Sequence, residues 1–287
     1  MSTHNTQQTS TTQIIPSPEP QRSSATKPLM IVFAVIGGAT LLAILLTTVF
    51  SSVIGLSRGS ATMTADMTGV TGVSVDSSAA EFTLEFGAVP EATLETSGLH
   101  ADSWHLVRDG AELQVQAPNQ WMNWCFFNCN FEDNHVTLTL PEELNDGSLD
   151  ADFDLAAGRL IANGDFDRLE VELGAGEATV NGAANELDAQ ISAGSANLNL
   201  ANVQTAELEV AAGRMITELT GDAPDTVNAE VSAGRLEVTL PDTEYAVNSE
   251  VSAGNLDNQL QTNAASNHRV NVELAAGNAT LQPGATP

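Results

Sequence analysis

The chain has 287 residues, an ordinary hydrophobic content of 42% and a formal net charge of −28, with 9 basic residues against 37 acidic ones. That length allows one large all-β domain or two small ones with appendages. So acidic a surface repels nucleic acid and anionic lipid headgroups, which makes both poor partners, while it suits cations, basic partners or a salty habitat and keeps an exposed domain soluble.

Residues 1–27 are rich in Ser, Thr, Gln and Pro and too poor in large apolar groups to offset chain entropy, so they read as a disordered cytoplasmic tail. Residues 29–50 (LMIVFAVIGGATLLAILLTTVF) carry no charge. As a helix they would cover roughly 33 Å, enough for a bilayer core and longer than the apolar stretch of a usual cleavable signal peptide. Arg22 and Lys27 stand just before the run, with Arg58 after it as a weaker counterweight. The bias predicts a single-pass signal-anchor helix over 28–56, with the N-terminus cytoplasmic and the C-terminal domain outside the cell membrane. Residues 57–69 read as a short polar tether.

From Val70 the pattern has period two, the mark of strands with one buried face. Residues 70–145 are expected to form irregular first coils or an N-terminal cap, with Arg108-Asp109-Gly110 turning a hairpin. LEFGAV (84–89) looks like a decayed copy of the repeat described below. One segment interrupts this region, QWMNWCFFNCNFEDN (120–134). Outside the cell Cys125 and Cys129 are expected to form a disulfide closing a short loop; a metal site with Asp133 or His135 is a weak match to zinc spacings. Trp121, Trp124, Phe126, Phe127 and Phe131 form an aromatic cluster, read either as the small core of the cap or as a partner-binding loop.

Residues 146–282 carry a strong internal repeat, and 283–287 read as a disordered tail. The repeat is an alternating apolar stretch, Ala-Gly, a polar residue and a second alternating stretch, as in FDLAAGRLIA (153–162), VELGAGEATV (171–180) and AEVSAGRLEVTL (229–240). Its glycines are Gly158, Gly176, Gly194, Gly213, Gly234, Gly254 and Gly277, spaced 18 to 23 residues apart. Two strands per unit and a link too short for a helix predict coils stacked in parallel, about 4.8 Å apart. The glycines are expected at the corners, with Ala157, Ala175, Ala193, Ala212, Ala233, Ala253 and Ala276 as a small inward column beside them. The fold class is therefore all-β: a parallel β-solenoid of about seven clear coils of ~20 residues plus irregular N-terminal coils, preceded by one transmembrane helix. No cap is visible after Leu281, so that end is open to another copy or to the tail.

The sequence offers no catalytic constellation and implies no cofactor. Its five histidines show no ligand spacing, and it lacks a nucleophile elbow, a phosphate loop and a dinucleotide fingerprint. Asn163 to Asp167 resembles a fragment of a calcium loop without the remaining ligands and reads as a turn. Arg159, Arg214 and Arg235 follow corner glycines and form either a basic stripe for an anionic glycan or solvated turns. The repeat carboxylates look too evenly spread to mark an enzyme site.

VELGAGEATVNG (171–182), ISAGSANLNL (191–200) and the preceding HVTLTLP (135–141) resemble the bacterial family DUF4097, known as "putative adhesins". The resemblance covers about 70–281 and implies a right-handed β-solenoid at the cell envelope with no catalytic residues to carry over; the two-cysteine insertion departs from it. The expected function is a membrane-anchored, non-catalytic cell-surface binding module for a glycan, wall polymer or neighbouring cell. The alternative is an envelope scaffold or sensor working with membrane partners or by self-association through the solenoid ends. A polysaccharide-acting enzyme ranks below both.

Overall fold

Because successive side chains alternate faces, each apolar stretch forms a strand with one buried side, and the structure stacks these strands into two columns whose buried sides meet. A computed structural model describes residues 52–53, 59–78, 80–98, 101–117 and 134–284; all of them belong to the unit Thr48–Pro287. In chain order the first strands are β1 (Ser52–Val53), β2 (Ser60–Ala65), β3 (Gly72–Ser77), β4 (Ala80–Gly87) and β5 (Ala92–Ser97). A hairpin, β6 (His105–Asp109) and β7 (Glu112–Gln116), turns at Gly110, whose φ is 64°, and β8 (His135–Pro141) follows. The repeats begin with β9 (Asp150–Leu155) and the long, bending β10 (Gly158–Ala201). Then come β11 (Thr205–Val210), β12 (Arg214–Thr220), β13 (Thr226–Val231), β14 (Arg235–Leu240), β15 (Glu244–Val251) and β16 (Asn255–Asn258). A short β17 (Gln261–Thr262), β18 (Arg269–Leu274) and β19 (Asn278–Pro283) complete the set.

The first column runs β7, β3, β9, two passes of β10, β11, β13, β18, β15, and its neighbouring strands are parallel and in register. The second runs β8, β4, β10, β12, β14, β19, β16, likewise parallel. Between the columns lie the alternate residues of every strand, for example Leu187, Ala189 and Ile191 facing Ala196, Leu198 and Leu200, all essentially buried. Phe153 of β9 and Phe82 of β4 meet across this core with ring centroids 6.4 Å apart.

The stack does not follow chain order at either end. The coil of β7 and β8 sits outside the earlier coil of β3 and β4. The C-terminal coil of β18 and β19 is inserted between β13–β14 and β15–β16. The inward residues explain the second inversion. The last coil in sequence presents Val270, Val272, Leu274, Ala279 and Leu281, all buried, whereas the sixth presents Ser249 and Asn258 at inward positions, both exposed. Polar inward residues are cheapest at the solvent end. Tyr245, fully buried, packs where the chain skips a layer: its hydroxyl donates to the Pro241 carbonyl at 2.9 Å and its ring meets His268 edge-on at 6.0 Å.

Several sequence expectations change. Of the expected tether 57–69, residues 59–69 belong to the fold: β2 pairs antiparallel with β5, and Met67 is buried in the cap, while 57 and 58 lie outside the described residues. The helix expected over 28–56 overlaps β1, which pairs with β2 at Ser52 and Val53; the apolar run itself lies outside the described residues. Among the described residues no helix is long and apolar enough to cross a membrane. LEFGAV is not a corner, since Ala80 stands opposite Gly158 in register. The alanine column faces out: Ala175, Ala193, Ala212, Ala233, Ala253 and Ala276 are exposed or half-buried and Ala157 is half-buried, because the last inward residue precedes the corner. Asn163–Asp167 is part of β10 rather than a turn, with Phe166 buried. Of the expected tail 283–287, Pro283 belongs to β19 and Gly284 donates to the Leu240 carbonyl at 2.7 Å, while 285–287 lie outside the described residues.

The inverted order predicts unequal costs for one deletion. Val270→Ala in the inserted coil should cost about 2 kcal/mol, whereas Val251→Ala in the end coil should cost less than about 0.5 kcal/mol. Urea unfolding of both variants checks this, and stacking in chain order would give the opposite ranking.

Candidate functional site

Strand alternation that buries one set of residues in the first column projects the other set outward, and the parallel register places equivalent positions directly above one another. One outward row contains Asp152, Glu170, Asp188 and Glu207. The adjacent row contains Asp76, Asp154, Glu172, Glu209, Glu230, Glu273 and Glu250, interrupted by Gln190. Neighbours within a row are one strand spacing apart, about 4.8 Å. At that distance like charges repel by about 1 kcal/mol even in a water-like surrounding.

The titration behaviour follows. Asp152 loses hydration among its neighbours and feels Glu172, Asp154 and Glu112, which pushes its pKa up to about 6. Asp188 is also pushed up to about 6, first by lost hydration and then by Glu170, Glu207 and Glu172, against a smaller opposing pull from Arg168. Asp154, Glu170, Glu172 and Glu230 are raised for the same reasons, lost hydration first. Gly72 stands between Glu112 and Asp150 without a side chain. The shallow depression there is lined by Asp109, Glu112, Asp150, Asp152, Arg168 and Glu170 among others. Arg168 is engaged by Glu186. Among the described residues no group of three His, Cys, Asp or Glu side chains is close enough to hold a metal ion.

The outer face of the second column is mixed. Arg159 pairs with Glu177 at 2.9 Å and with Glu81 at 3.3 Å, and Arg214 pairs with Glu237 at 3.1 Å. Arg214 and Arg235 stand side by side in register. The arginines of the corner column therefore lie among carboxylates, with Arg159 and Arg214 ion-paired. Asn181 donates to Asn163 at 3.1 Å, and Asn199 to Asn181 at 2.9 Å, forming an amide ladder beside them. The unbroken carboxylate runs thus lie on one face, whereas on the other face acids alternate with arginines, amides and hydroxyls. The signal was present in the repeat units, whose first strand alternates apolar residues with Asp or Glu.

The corner glycines form one continuous column. A Cβ at Gly194 would come within 2.7 Å of the Gly176 carbonyl oxygen, and a Cβ at Gly277 or Gly254 would run into Gly234 or Gly277 below it. Gly176 adds a φ of 120°, which side chains rarely adopt. Gly158 rests on Ala80, and Gly213 and Gly234 continue the column in between. Cys125, Cys129, Trp121, Trp124, Phe126, Phe127 and Phe131 lie outside the described residues, in the stretch 118–133 between β7 and β8 in the sequence.

The family model described as Toastrack DUF4097 matches residues 70–281. The chain belongs to the DUF4097 family. A solved structure of a "putative adhesin" from Bacteroides fragilis matches with a TM-score of 0.50 and 13% identity, covering 81% of this chain and 100% of that one. A solved "putative cell adhesion protein" from Clostridium sporogenes matches with a TM-score of 0.35 and 13% identity, covering 78% and 99%. No curated protein matches. At such identity the Bacteroides likeness speaks for the fold alone, an all-β, solenoid-like Toastrack domain.

The close backbone contacts make the corners intolerant of side chains. Gly194→Val and Gly234→Val should each destabilise the fold by about 3 kcal/mol or more through backbone collision, measured as a lowered thermal midpoint. The acidic rows set the pH response. Carboxylates whose folded pKa lies above its usual value stabilise the fold when protonated, and that contribution fades as pH rises through the folded pKa. Stability should therefore increase as pH falls from about 6.5 towards 4.5. Asp152→Asn with Asp188→Asn should flatten that rise and add about 1 kcal/mol per site at pH 7.5, allowing for solvent screening; thermal melts across this pH range check both.

Proposed function

We propose that this DUF4097 protein is a non-catalytic surface-binding module, anchored in the cell membrane by residues 29–50 with its N-terminus cytoplasmic and its solenoid outside. The observation that carries this reading is the uneven placing of charge: one outer face bears two uninterrupted runs of carboxylates, Asp152 to Glu207 and Glu209 to Glu250, while the other is mixed, with Arg159 and Arg214 ion-paired to glutamates. Stacking like charges costs stability, and solubility alone would be served by scattering them. A broad acidic face with only a shallow depression suits contact with an extended basic surface, such as a cationic stretch of wall polymer or envelope protein, rather than turnover of a small substrate. The name of the Bacteroides structure points in the same direction.

The test uses full-length protein in nanodiscs, added to intact cells and to isolated wall material over a range of salt. Binding is expected, weakening at least tenfold between about 50 mM and 500 mM salt, and weakening similarly at low salt when Asp152, Glu170, Asp188 and Glu172 are changed to their amides. Binding that ignores both salt and the amide changes would remove the acidic face from the function. Co-purification of a small fixed set of membrane proteins from native membranes, with no binding to cells or wall, would replace this reading with the scaffold or sensor one.

A further inference from the structure

The two ends of the stack are finished differently. At the N-terminal end β6 folds back antiparallel on β7, and β5, β2 and β1 continue the second column antiparallel beyond β8, with Trp104, Leu106 and Met67 buried beneath them. At the other end β17 pairs with the start of β15, at Glu244 and Tyr245, and Asn263 donates to the Tyr245 carbonyl at 2.9 Å; over Ala246–Val251, among the described residues, β15 pairs only with β18. Val251 is there 43% exposed, the one large apolar side chain so exposed among the described residues.

The free edge has a defined hydrogen-bonding phase. The amides of Ala246 and Ser252 donate to His268 and Leu274 at 2.8 and 2.9 Å, so the even-numbered amides of the strand point at β18. Those of Val247, Ser249 and Val251 point the other way, outward along the stack. An antiparallel strand centred opposite Ser249 would receive all three in a regular ladder. The strand that meets this pattern best is β15 itself. With a two-fold axis at Ser249, inward Val247 faces the second copy's Val251, Ser249 faces Ser249, and outward Glu250 faces Asn248 rather than another carboxylate. The same residues in the same register satisfy both copies, as a two-fold interface requires, and the like-charge contact that would forbid it is absent.

We infer that the β15 edge is a homophilic docking site through which two copies of this chain join end to end. The inference rests on the surface-binding reading above and adds to it a second contact, made at a strand edge rather than on the acidic face. The docking end lies opposite the end of the stack that carries β1 and β2. One strand per copy is a small contact, below the area of a stable dimer, so single pairs are weak and the effect belongs to arrays of them.

The test is sedimentation of the purified full chain across a wide concentration range, with a crosslinking variant. Wild type should show a reversible monomer–dimer equilibrium at high concentration. Ser249→Cys should give a disulfide-linked dimer under oxidising conditions, since directly opposed residues of a hydrogen-bonded antiparallel pair sit about 5.5 Å apart at Cα, within disulfide reach. Exposed Ala233→Cys serves as the control and should not crosslink. Val251→Lys, and Ser249→Pro, which removes an outward amide not used in the pairing with β18, should each weaken the dimer at least tenfold with an unchanged thermal midpoint. A chain that stays monomeric throughout, with the Ser249→Cys variant uncrosslinked, overturns the inference. So does a dimer that survives both weakening changes while Ser249→Cys forms no link. If the chain binds cells or wall material yet shows no self-association, this inference fails while the surface-binding reading stands.

Discussion

The constraint on which the rest depends is that each residue of a parallel solenoid sits directly above its counterpart one strand spacing away. Every position is therefore chosen for its compatibility with itself. Inward columns accept this easily, because Leu198 above Val180 or Leu208 above Ala189 is ordinary apolar packing. At the corners it is severe. The chain reverses between Ile191 and Ala196 with so little room that Gly194 lies against the Gly176 backbone, and only glycine repeats there. Outward columns meet it in a third way, by amide ladders. Asn271 donates to Asn228 at 2.9 Å and Asn248 donates to Asn271 at 3.0 Å, so an amide satisfies its own repetition through a donor on one side and an acceptor on the other.

Carboxylates are the residues that satisfy self-repetition worst, having acceptors only, and yet they fill the outer face of the first column. The contrast within a single row is instructive. Asp152, Glu170, Asp188 and Glu207 occupy it through the middle of the stack, and Asn228, Asn271 and Asn248 continue it towards the end. An amide is therefore tolerated at these places, and it would relieve the repulsion that raises Asp152 and Asp188. Structural need does not account for acid in the middle coils.

The repeat made most of this fold readable in sequence, because period two, fixed spacing and corner glycines report directly on strands and coils. The hairpin at Gly110 was equally visible, as the turn carries its own local signature. What escaped were features set by contacts between units. The outward turn of the alanine column depends on which residue enters the corner last. The identity of Ala80, rather than Gly87, as the counterpart of Gly158 depends on register between strands far apart in the chain. The strand β2 looked like a tether because SATMTA is polar and short, and it becomes a strand only through its pairing with β5. The acidic face lay in plain view in each unit but shows its density only once the units are superposed.

The inverted order at the C-terminal end joins these points. Seven similar units could stack in more than one sequence, and hydrogen bonding alone hardly distinguishes them, since each presents the same edges. Side chains decide. With Ser249 and Asn258 inside, the sixth unit loses little by facing solvent, whereas the seventh, with Val272 and Leu281, would expose an apolar surface there. Placing the seventh inside hides that surface and leaves at the tip an edge that is polar at its centre, weakly apolar at its flanks and single in its charge. Such an edge resists the indiscriminate pairing to which bare strands are prone, while its two-fold register leaves it open to one partner of matching pattern.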